Sequence, residues 1–172
     1  MKKILLKMVI FSVLVGVCLF VGEDKMVMAA CKTSGSYTYC ATSVSSLSTT
    51  RPIYNSQAKH TNGYSTTVGV TKSQTDTVTA STSLNWGINA WGATVTTSVG
   101  VSASVSKTSS TSIKYTIAKG TATGYYRINH VFPGNAIRLT QAKLPEYSIV
   151  ATKTIAYAPK TNAAYHTLVK YA

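Results

Sequence analysis

DTVTASTSLNWGINAWGATVTTSVGVSASVSK, residues 76–107, decides the fold. The thirty residues between Asp76 and Lys107 carry no charge, and they alternate. In the first half the even positions are Val78, Ala80, Thr82, Leu84, Trp86, Ile88 and Ala90, while the odd ones are Thr, Ser, Asn or Gly. In the second half the phase flips, and Trp91, Ala93, Val95, Val99, Val101, Ala103 and Val105 are odd. A period of two gives a β-strand one apolar face and one hydroxyl-rich face, so the chain is read as all-β.

The flip predicts a hairpin. Folding the chain back around Asn89-Ala90-Trp91-Gly92 pairs residues whose numbers sum to 181. Ile88 then faces Ala93, Trp86 faces Val95, Leu84 faces Thr97, Ala80 faces Val101 and Val78 faces Ala103. All of these share one face, and a slip of one residue would turn the apolar set over. Asn89 and Gly92 suit the first and last positions of a type I turn. The alternative is a single strand bulged at Ala90-Trp91.

Outward from this stretch, the beginning of the chain reads as a secretory leader. Lys2, Lys3 and Lys7 precede the uncharged, mostly apolar run 8–22. Val27-Met28-Ala29 offers small residues for cleavage after Ala29 or Ala30. The run is short for a membrane span, which needs about 20 residues. Met28-Ala29-Ala30-Cys31 loosely resembles a lipoprotein box, but Met and the preceding charged patch fit it poorly. Two cysteines, Cys31 and Cys40, follow the leader, and in an exported chain they predict one disulfide. The short n-region and the lysine content lean toward a Gram-positive bacterial source.

The expected organisation is a leader over 1–29, a disulfide loop and Ser/Thr-rich linker over 30–52, and one β-domain over 53–172. That domain is predicted as an antiparallel sandwich, an open barrel or an elongated β-domain, with a long alternating hairpin around 77–106. Asn62-Gly63 signals a tight hairpin. Pro133-Gly134-Asn135 suits a type II turn between strands 125–132 and 136–141. Leu144-Pro145-Glu146 separates the latter from 149–157, and 165–171 reads as a final edge strand.

Charge is the second signal. Beyond residue 29, thirteen Lys and Arg face only Asp76 and Glu146, a net charge of +11. Such an imbalance draws a protein to polyanions. For an exported protein the expected partners are an anionic cell wall or membrane surface, with glycans as a further class. No motif for sequence-specific nucleic-acid binding is visible. Lys114, Tyr126, Arg127 and Arg138 are the candidate anion or glycan contacts, because tyrosines beside bases offer stacking area as well as charge. Half-buried strand tyrosine explains the same residues by β-propensity alone.

No catalytic residue, metal or cofactor is expected. Paired carboxylates are missing, since Asp76 and Glu146 both read as turn residues. His60, His130 and His166 are isolated in sequence, and no Gly-x-Ser-x-Gly elbow is present. The chain is therefore read as non-enzymatic, in one of two ways. Either it binds anionic envelope polymers, or its hairpin enters a membrane. An uncharged, alternating hairpin is what a transmembrane barrel needs from each subunit, which leaves room for oligomerisation. Each arm exceeds the roughly 9–11 residues that a tilted strand needs. The polarity pattern is similar to that of the inserting hairpin of aerolysin-type pore-forming toxins. That resemblance covers about a fifth of the chain beyond the leader and implies that Ala90 and Trp91, at the tip, cross first.

Overall fold

The computed structural model describes residues 17–20, 27–82, 84 and 98–172. Strands, all paired antiparallel, make up 65% of the structure, so the chain is all-β. In chain order the strands are β1 (Val17–Phe20), β2 (Val27–Ser34), β3 (Tyr37–Asn55), β4 (Thr66–Gly69) and β5 (Gln74–Thr79). β6 (Ser104–Ser109), β7 (Lys114–Ile117), β8 (Tyr126–Lys143), β9 (Ser148–Pro159) and β10 (Tyr165–Lys170) follow.

β3 and β8 form the backbone of the main sheet, paired from Tyr37↔Lys143 to Asn55↔Arg127. That sheet curls into a half-barrel. Register shifts at Ser43/Ser45 and Pro52/Tyr54 help it turn, because a bulge bends its strand and increases the local twist. On its other side β8 changes neighbours, pairing β10 over 126–131 and β9 over 134–143.

Two expectations are corrected here. Residues 41–52 are not a linker: they lie within β3, so the strand crosses the boundary expected at 52/53. Ser and Thr suit a strand whose side chains are mostly exposed, as 43–52 are. Pro133-Gly134-Asn135 is not a turn either, because β8 runs straight through it. Pro133 is tolerated where β8 has left β10 and not yet met β9, so its missing N–H removes no ladder bond on that side. Its carbonyl still accepts from Lys160 N at 2.8 Å. Gly134 is needed for close approach. A Cβ there would run into the Tyr157 ring and lie 2.7 Å from the Ala158 carbonyl oxygen.

Asn62-Gly63 does sit in a turn, closed by Tyr64 N to Thr61 O at 3.3 Å. The flanking segments, however, do not pair with each other. His60 bridges Gly124, and β4 pairs β7. His60 is buried, with Nδ1 2.9 Å from Thr66 Oγ1 and its ring edge-on to Tyr126. The turn is thus fastened to the body rather than to its own return strand.

Two apolar clusters hold the fold. Val68, Val70, Ile117, Tyr126 and Ile128 form one, and Ala41, Leu84, Val101, Ile137, Leu139, Ile155 and Ala158 form the other. β8 contributes to both, with Tyr126 and Ile128 before its register shift at Asn135/Ile137 and with Ile137 and Leu139 after it. Ile128, Ile137 and Ile155 are fully buried, each stabilising the fold by about 1.5–3 kcal/mol through transfer from water.

Candidate functional site

β4 and β5 run into one another, and so do β6 and β7. In both ladders the paired residue numbers sum to 183, as in Thr66↔Ile117 and Asp76↔Lys107. They are therefore one long hairpin interrupted once, at 70–73 opposite 110–113. A backbone bond from Val70 N to Ile113 O, 3.0 Å, enters the interruption. Ser109 leaves it, fully buried, with its Oγ donating to Gln74 O at 3.1 Å. A turn within the interruption is closed by Ile113 N to Ser110 O at 3.2 Å.

Neither ladder is part of the main sheet. β4–β7 and β5–β6 each form a separate two-stranded sheet. The outward face of β5–β6 is hydroxyl on hydroxyl, with Thr75 and Thr108 Oγ1 2.9 Å apart and Thr77 Oγ1 2.8 Å from Ser106 Oγ. The opposite face carries Gln74, Asp76 and Val78 across from Val105, Lys107 and Ser109, all less exposed.

The hairpin expectation is right in phase and corrected in register. A sum of 183 in place of 181 moves each partner two residues along, which keeps every side chain on its expected face. Val78 faces Val105, not Ala103. The slide brings Asp76 opposite Lys107 and stacks the hydroxyl pairs, and cross-strand partners of these kinds favour a register. The arms also part earlier than expected. After Ala80 N to Ala103 O at 2.8 Å they separate, and Ala80 does not pair with Val101. Both then dock on the end of β9. Ser81 N donates to Tyr157 O and Ser102 N to Pro159 O, each at 2.8 Å, and Val101 bridges Lys160. Leu84 and Val101 are buried against Ile137, Leu139, Ile155 and Ala158, with Ala80 and Val99 beside them. The expected pairs of Leu84, Trp86 and Ile88, and the tip at Ala90 and Trp91, lie outside the described residues.

At the foot of the hairpin is a polar cluster that sequence reasoning missed. Asp76 is not a turn residue but lies in the middle of β5, and its Oδ2 is 2.7 Å from His130 Nδ1. The Gln74 amide donates to both Asp76 oxygens at 3.1 Å. The His130 side chain is wholly enclosed, and its Nε2 is buried without a protein partner. His166 is its cross-strand partner on β10, with ring centres 4.9 Å apart. Burial, the His130 ring and the Lys107 ammonium together push the His166 pKa down. An ionised carboxylate can only accept, so the proton of the Asp76 bond sits on His130 Nδ1. The signal was a single acid opening an uncharged strand and a histidine inside the apolar run Ile128–Phe132. Sequence alone did not bring the two together.

The other candidate residues are scattered. Cys31 and Cys40 are directly opposite on β2 and β3 and form the expected disulfide. Lys114 and Arg138 are exposed, on β7 and β8. Tyr126 is corrected to a core residue. It is 6% exposed, and its hydroxyl donates to Ala122 O at 2.6 Å. Arg127, its neighbour, turns to the other side of β8, donates to Asn55 Oδ1 at 2.9 Å and lies over the Tyr171 ring at 4.4 Å. The structure does not gather these four into one site. Comparison with protein families, curated proteins and solved structures finds no match for the chain.

Proposed function

We propose that this is an exported, non-enzymatic protein that attaches through its positive charge to an anionic cell-envelope surface and inserts its long hairpin into the membrane. The observation that carries this reading is the separateness of the hairpin. β5–β6 pairs only with itself, so leaving the sheet costs the body none of its own ladder bonds. Beyond the Asp76–Lys107 pair the hairpin sequence is uncharged and alternates apolar with hydroxyl residues, the pattern that a barrel strand needs. Export is supported by the leader-like beginning and by the Cys31–Cys40 disulfide. Cleavage after Ala29 or Ala30 would remove β1 and the first residues of β2, leaving the β3–β8 ladder intact.

Attachment without insertion is the second reading. It is favoured by the exposed bases Lys114 and Arg138 and by Tyr147, Ile149 and Val150, 50–67% exposed at the β8–β9 turn. Dye release from anionic and neutral liposomes, with a Trp91→Asp variant alongside, separates the two. Release from anionic liposomes that the variant loses supports insertion. Salt-sensitive co-sedimentation with no release leaves only attachment. Neither release nor binding to vesicles or cell walls contradicts both.

A further inference from the structure

We propose that Asp76, His130 and His166 are a proton-controlled latch that holds the hairpin on strand β8 at neutral pH and lets it go in acid. The inference rests on the hairpin being the inserting element, and adds what controls it.

The latch ties the hairpin to two strands, β8 and β10, that are already paired with each other over 126–131. Asp76 belongs to the hairpin, His130 to the central strand of the sheet and His166 to its edge strand. A 2.7 Å hydrogen bond between Asp76 Oδ2 and His130 Nδ1 ties the hairpin to β8. Histidine is the side chain that ordinarily changes charge between about pH 5 and 8. Of the two imidazoles, both with Nε2 buried without a protein partner, His166 is partly exposed while the His130 side chain is wholly enclosed, so the incoming proton goes to His166.

A charge on His166 then faces cations and dipoles arranged against it. Lys107 approaches from β6, the His130 ring from β8, and Arg51 stands at the register position across β8, on β3. Asp76, on β5, is the only carboxylate in this group, and its two oxygens are already engaged by His130 and Gln74. Like charges cannot be brought together cheaply where water is excluded. The relief available is to separate β10 and the hairpin, which carries Lys107, from β8. Once the Asp76 bond is broken, the hairpin is held by its apolar contacts and by the hydrogen bonds of Ser81, Gly100 and Ser102 with residues 157–161.

Hydrogen exchange of the amides of 74–79 and 104–109, corrected for the intrinsic effect of pH, reads the latch without any membrane. Between pH 7.5 and 5.5 the expected protection falls several-fold in the wild-type protein, toward the ceiling of roughly tenfold that a single histidine allows. In His166→Gln, which keeps a polar side chain but cannot charge, it stays within about twofold. In His130→Asn the protection is already low at pH 7.5. His130→Asn fills less of the interior, so exchange across the β3–β8 ladder serves as the check that the sheet is folded. Liposome release is then followed over the same pH range, expected to rise in acid for the wild type and not for His166→Gln.

A wild type whose hairpin amides are equally protected at both pH values overturns the latch. So does a His166→Gln protein that opens in acid as the wild type does. Acid opening in solution without dye release at any pH upholds the latch and contradicts the insertion reading, so the two failures are distinguishable.

Discussion

His166 shows what one side chain does to the stability of the whole chain. Folding lowers its pKa from the ordinary 6.5, through burial first and then the nearby His130 ring and Lys107 ammonium. Just below 6.5 the unfolded chain therefore holds more protons than the folded one, and stability rises with pH there. The contribution is complete above about 6.5 and is lost as pH falls through that window. Urea midpoints at pH 7.5 and 5.5 are expected to differ more in the wild type than in His166→Gln; equal differences would contradict this. Gly134 makes a second prediction at this scale. Gly134→Ala drives a Cβ into the Tyr157 ring, whose hydroxyl is held by Phe132 O at 2.8 Å. The expected loss is about 1–3 kcal/mol, the usual cost of forcing atoms into a packed interior, read as a drop in urea midpoint. Individual residues were the least legible part of the sequence. Asp76 and His130 are 54 positions apart, and only the return of β8 beneath the hairpin puts them in contact. Tyr126 looked like a surface residue because Arg127 follows it, yet period two sends the neighbours to opposite sides.

At the scale of elements, alternation read the hairpin's faces and missed its register. Period two fixes which side a residue faces, and a shift of two residues changes no face, so 181 and 183 cannot be told apart by polarity. Cross-strand partners make the choice. Pro133-Gly134-Asn135 misled for a related reason. Its residues fit a turn locally, but the neighbouring strands leave a gap in the ladder that accommodates the proline and bring Tyr157 close enough to require the glycine. The disulfide was legible from spacing and compartment, and it tests directly. Cys31 and Cys40 join β2 to β3 across a tight turn at Gly35, whose φ of 55° suits glycine. Replacing both by Ser is expected to lower stability by about 2–4 kcal/mol, the usual effect of cutting such a staple. Denaturation of the two proteins under non-reducing conditions measures it, and an unchanged midpoint would show the staple to be idle.

The whole molecule combines a rigid sheet, a separately built hairpin and a large positive charge. Composition gave the charge, and alternation over 76–107 gave the β-class. Neither could give the half-barrel, because the length of β3 and β8 is set by pairing over residues whose Ser/Thr content reads as linker. Charge predicts how the first encounter with a surface behaves. Co-sedimentation with anionic vesicles is expected to weaken steeply between 0.05 and about 0.5 M salt, as screening shortens to a few ångströms. Binding that ignored salt would remove electrostatic attachment from the account. The central claim is that the hairpin must leave the sheet to act. Val101 and Lys160 are directly opposite one another, on the hairpin arm and just beyond β9. Val101→Cys with Lys160→Cys, oxidised, ties the hairpin to the body. Dye release from anionic liposomes is expected to be lost in the oxidised protein and regained on reduction, with the wild type under the same reductant as baseline. Release that continues undiminished from the fully cross-linked protein would contradict the claim.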